Sequence, residues 1–168
     1  MRRTTLALGI VAALMFSLAA NAAAPANFAG TWVLDKSKTP NLPRQWENAT
    51  SVTMEIKQDQ KQITIETKAE GSQFPSQPFT YNLDGSESIV EIQGRRPGKA
   101  TLKASWSKDS NMLELSRKQS GEVNGNAFTI ANTDKLTLAE EGKVLKIART
   151  SESPRGTQES ALVFNKKG

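Results

Sequence analysis

The 168 residues include 22 Lys and Arg against 17 Asp and Glu, are 37% hydrophobic and 6% aromatic, and contain neither Cys nor His. Without Cys there is no disulfide framework, thiol nucleophile, Cys-ligated zinc or lipidated cysteine; without His there is no Ser-His-Asp or Cys-His pair and no imidazole ligand. The length suits a single domain with a substantial core.

Met1, Arg2 and Arg3 provide a basic start, residues 6–18 (LALGIVAALMFSL) form an apolar run, and small residues follow through Ala24. This order is that of a secretory signal peptide. Ala20 and Ala22 fit the small positions before a cut after Ala22, with Ala23 or Ala24 as alternative sites. The expectation is a leader of residues 1–22 and a mature domain of residues 23–168, exported to the periplasm or fully secreted. The apolar run falls short of the roughly 18–20 residues that span a bilayer, so no stable membrane anchor is expected after cleavage. Loss of Arg2 and Arg3 leaves 20 basic against 17 acidic side chains, net +3. The lysines are dispersed and form no basic stripe, so a nucleic-acid partner is not expected.

The mature sequence alternates with a period of two in ten short segments: residues 28–35, 51–57, 62–68, 78–83, 88–93, 100–107, 112–118, 127–138, 143–150 and 160–166. Such alternation gives a strand one dry and one wet face. Asp84-Gly85, Pro97-Gly98, Asn124-Gly125, Glu141-Gly142 and Pro154-Arg155-Gly156 punctuate the series as turns. Short turns imply antiparallel neighbours, and closing the meander removes its open edges. The expected fold is all-β, an antiparallel up-and-down meander of about 8–10 strands closed into a barrel. Residues 36–49, with two prolines and no strand pattern, form either a lid or plug over one mouth or a plain connection; Trp46 within them is a lid residue or a surface anchor.

Phe28, Gly30, Thr31, Trp32 and Leu34 make the opening strand read F-x-G-T-W-x-L. This strand resembles the Gly-x-Trp opening of the calycins, the superfamily of lipocalins and fatty-acid-binding proteins, and the chain as a whole is similar to small exported lipocalin-like proteins of bacteria. The resemblance implies a barrel whose closed end is plugged by Trp32, with a basic residue from a late strand packed over it. Arg149 is the candidate for that cation–π contact. Gly30 would allow close approach of a neighbouring strand. Fatty-acid-binding proteins hold the ligand carboxylate with Arg-x-Tyr on the last strand; Leu162-Val163-Phe164 stands there instead, so that mode is not carried over.

Polar residues in the dry register mark the candidate site. Arg117 continues Leu113 and Leu115, Arg149 continues Leu145 and Ile147, and Asn132 and Asp134 share parity with Phe128, Ile130, Leu136 and Leu138. A buried arginine needs a partner, either Asp134 or an anion on a ligand. Arg117 and Arg149 would hold a polar head inside a barrel otherwise lined by Phe79, Tyr81, Leu102, Trp106 and Ile130. Two bland alternatives stand beside this: arginines at strand ends that reach water, and a bulge near Asn132 that turns Asp134 outward.

The expected function is non-catalytic binding of a small hydrophobic or amphipathic molecule by a monomer, with no cofactor or metal. One alternative is an envelope protein-interaction module or enzyme inhibitor with a packed barrel. Another is a hydrolase or isomerase using carboxylates and Tyr81.

Overall fold

A computed structural model of the protein describes residues 24–71, 76–94 and 96–168; the expected leader, with Ala20 and Ala22, lies outside them. All ten alternating segments form strands: β1 Gly30–Leu34, β2 Val52–Gln58, β3 Gln62–Ala69, β4 Phe79–Asn82, β5 Ser88–Ile92, β6 Gly98–Trp106, β7 Met112–Val123, β8 Asn126–Ala139, β9 Val144–Ser153 and β10 Gly156–Lys166. They make one antiparallel sheet in the order β4-β3-β2-β1-β10-β9-β8-β7-β6-β5. The sheet curls into a nearly closed barrel because β1 pairs on one side with β2 and on the other with β10, Trp32 lying opposite Met54 and Lys166.

One expected hairpin is absent. The Asp84-Gly85 turn joins β4 and β5, but these strands flank a seam and do not pair. Both are short, and side chains cross the seam in place of a ladder: Ser88 Oγ donates to the Thr80 carbonyl (3.3 Å) and Gln77 Nε2 to that of Glu91 (2.9 Å). Elsewhere the strands outrun the sequence reading, since β7 continues to Val123 and β10 begins at Gly156. At the start of β6 and end of β7, Gly98 lies opposite Gly121. A Cβ on Gly98 would fall 2.1 Å from the Ser120 carbonyl oxygen, so only glycine allows this approach.

Up-and-down connectivity sends alternate connections to opposite ends. The connections β2–β3, β4–β5, β6–β7 and β8–β9 lie at one end, which is packed shut. Phe28, Trp32, Leu113, Leu145 and Phe164 are fully buried there, and each such side chain contributes about 1.5–3 kcal/mol. Phe28 stacks on Trp106 with ring centroids 6.1 Å apart, and Trp32 Nε1 donates to the Phe28 carbonyl (2.9 Å). Trp32 therefore sits in the plug, as the calycin resemblance implies. The cation above it is Lys166, its cross-strand neighbour, with Nζ 5.3 Å from the ring, and not Arg149. Arg149 lies four residues along β9 from Leu145, too near the opposite end to reach Trp32. Gly30 takes φ +142°, and a side chain there would meet Lys166 Cε at 3.0 Å; what it accommodates is a side chain, not a neighbouring backbone.

Candidate functional site

The other end is open inside. Residues 36–49 run there as two short 3-10 turns, Lys36–Lys38 and Arg44–Trp46. Thr39 Oγ1 accepts from the Val163 amide (3.1 Å), Ser160 Oγ donates to the Asn41 carbonyl (3.0 Å), and Lys36 Nζ donates to the Ala49 carbonyl. The first two bonds hold the segment against β10 and the third ties its two ends together; Trp46 is turned inward, where it is only 6% exposed. Beneath it lies a cavity of about 960 Å³ walled by Arg44, Gln45, Trp46 and the upper parts of the strands. The segment is thus a cover with side chains in the cavity wall.

Strict alternation places the polar residues inside. β8 pairs without a break with β7 from Asn126 to Thr137 and with β9 from Ala131 to Ala139, so no bulge turns Asp134 outward. Asp134 lies directly opposite Arg149, and the two form a bidentate pair: Nε to Oδ1 at 2.6 Å and the second guanidinium nitrogen to Oδ2 at 2.7 Å. Both side chains are 19% exposed. The Arg149 guanidinium also rests over the Trp46 ring, 5.5 Å from its centroid. Burial alone would lower the Arg149 pKa, but the Asp134 carboxylate outweighs it and holds the group above its ordinary value.

Arg117 meets different neighbours. Across the ladders it faces Leu102 on β6 and Asn132 on β8, not a carboxylate. Its guanidinium lies 4.5 Å from the Phe79 ring centroid, and its buried Nε has no hydrogen-bond partner among the described residues. Burial pulls its pKa down, with the nearby Tyr81 acting in the opposite direction. Tyr81 is itself buried, and burial pushes its phenol up to about 12. Arg117 is mid-strand, so it does not escape to water from a strand end.

Of the residues the sequence singles out, Phe79, Tyr81, Arg117, Ile130 and Arg149 share this cavity wall. Leu102 and Trp106 do not. Leu102 is fully buried in the packed core, between Ala100 and Ala104 of β6. Trp106 belongs to the opposite end, beside a smaller recess with Pro25, Gln58 and Leu83. The lining is also more polar than the expected oily interior. Arg44, Arg96 and Arg155 stand at the rim, and Gln77, Gln93, Gln119, Asn132 and Gln158 occur in the wall. Reading the turns one by one gives no hint of this. Counting them does, because residues 36–49, the β5–β6 connection and the β9–β10 turn all fall at one end.

Among the described residues no group of three or more acidic side chains converges as a metal site. Among the described residues of the cavity wall, Asp134 is the sole carboxylate.

No protein-family model matches the sequence, and no curated protein matches it either. Solved structures match the fold. A mutant of the fluorescent protein UnaG superposes with a TM-score of 0.55 at 17% identity, covering 84% of this chain and 96% of that one. Zebrafish ileal bile acid-binding protein in complex with cholic acid gives 0.52 at 15% identity, over 83% and 98% of the two chains. A fatty-acid-binding protein from Manduca sexta aligns over 83% and 99% at 12% identity, with a TM-score of 0.48. The UnaG and bile acid-binding structures thus share with this chain the fold of a nearly closed, antiparallel up-and-down β-barrel, the fold expected from its opening strand.

Proposed function

We propose that the protein is an exported, non-catalytic carrier or sensor of a small amphipathic organic anion, bound inside the barrel under the residue 36–49 cover. The observation that carries this reading is Arg117, a half-buried cation in the wall of a 960 Å³ cavity, its Nε closed to solvent and no carboxylate paired to it among the described residues. A cavity of this size suits one small molecule, and an unpaired, half-buried guanidinium gains most from an anion with matching geometry. Cholic acid, held by a barrel of the same fold, is a ligand of that type. The cavity also weighs against a protein-interaction module, which presumed a barrel packed solid. For the hydrolase or isomerase reading, Asp134 is committed to Arg149, and a phenol held protonated up to about 12 is a poor general base.

The test uses 1-anilinonaphthalene-8-sulfonate as an anionic fluorescent probe and cholate as competitor. Native protein is expected to bind one dye reversibly and release it to cholate. Arg117→Met should weaken dye binding at least tenfold with little change in melting temperature, since it removes a half-buried charge that has no carboxylate partner and leaves an apolar side chain against Phe79. Absence of native-state binding, or equal affinity in Arg117→Met, refutes the reading.

A further inference from the structure

Resting on that reading, we propose that the ligand is a compact dianion: one acidic group on Arg117 deep in the barrel, a second near the mouth among Arg44, Arg96 and Arg155. The charge balance of the wall is the first argument. Among the described residues, five guanidinium groups and one carboxylate line the cavity, and the carboxylate is taken by Arg149. Four cations remain, and none is in an ion pair among the described residues. A single carboxylate on Arg117 leaves the three rim arginines unanswered. They converge from three separate connections on one opening, where a low-dielectric wall focuses their field on whatever occupies the mouth.

Depth is the second argument. Leu115, Leu136 and Ile147, all but closed to solvent, form the layer directly below Arg117 and Arg149. A long alkyl tail has no room beneath them. Above them the wall is rich in amides, and an apolar tail laid there would strip those groups of water without replacing their hydrogen bonds. A long-chain monoacid is therefore poorly matched in either orientation. From Arg149 to the end of β9 at Ser153 is four residues, about 13 Å along the strand. A rigid molecule of roughly that length, apolar in its middle and acidic at both ends, would rest on Phe79 and Trp46 and reach both sets of cations.

Isothermal titration calorimetry with 4-biphenylcarboxylate, biphenyl-4,4′-dicarboxylate and hexadecanoate at matched ionic strength tests this. The dicarboxylate is expected to bind at least tenfold more tightly than the monocarboxylate, and hexadecanoate more weakly than the dicarboxylate. In Arg44→Gln/Arg96→Gln/Arg155→Gln, whose changes lie on exposed side chains, the dicarboxylate should fall to within threefold of the monocarboxylate. Raising salt in the unmutated protein should shrink the same ratio. Equal affinity for the two biphenyl acids, a ratio that survives the triple substitution, or preference for hexadecanoate overturns the dianion assignment and leaves interior binding standing. Failure of all three acids to bind overturns both.

Discussion

Replacing Asp134 by Asn should destabilise the fold by about 3 kcal/mol. The substitution keeps shape and removes charge, leaving the Arg149 guanidinium with a neutral amide where it had a bidentate carboxylate at 2.6 and 2.7 Å. Two unit charges about 4 Å apart attract by about 4 kcal/mol at an effective dielectric constant of 20. Removing one member of a buried pair typically costs about 3–5 kcal/mol, because the other charge stays buried without compensation. The 19% exposure of each side chain places this pair near the lower end. With a urea m-value of about 2 kcal/mol/M, the transition midpoint should drop by about 1.5 M at unchanged slope. Removing both charges in Asp134→Leu/Arg149→Met should recover most of the loss. A deficit of about 0.5–1 kcal/mol would persist, because Trp46 loses the cation over its ring. A midpoint for Asp134→Asn indistinguishable from the unmutated protein, or a double variant no better than the single, refutes this account of the pair.

Alkaline pH offers an independent check. Tyr81 is held protonated up to about 12 against an ordinary value of 10.0. Its contribution to stability is complete below pH 10 and is lost as pH rises from 10 to 12, because the unfolded chain gives up the proton first. The loss amounts to about 3 kcal/mol, and Tyr81→Phe should remove this part of the pH dependence in denaturant titrations at pH 9.5 and 11.5. Gly98→Ala should cost about 1–3 kcal/mol by thermal or urea unfolding, since its methyl group would press the Ser120 carbonyl and force β6 from β7.

The fold was legible because an interior face repeats every second residue whatever the sheet later does. Leu113, Leu115 and Arg117 announce their shared direction without any knowledge of β6 or β8. The parity of Asp134 was equally readable, but not its choice of partner: that depends on register across a ladder, which pairs it with Arg149 and leaves Asn132 facing Arg117. The same limit explains the misplaced cation over Trp32. Lys166 looks like a terminal surface residue until β10 is set beside β1. Trp106 follows the alternation as well as Tyr81 does, yet periodicity gives a face and not a depth, and these two rings lie toward opposite ends of the barrel. The seam was hidden for a related reason, since an Asp-Gly turn specifies a reversal but not that the strands it joins will bond.

The pairing of β1 with β10 brings Trp32 beside Lys166, partners 134 positions apart along the chain. Until the last strand arrives, β1 has a neighbour on one side only, Trp32 lacks its cation, and Phe164 is missing from the plug. Closure is consequently a late event, limited by the slow search that distant contacts impose. A polypeptide emerging residue by residue would stay open and threadable until almost all of it had been delivered.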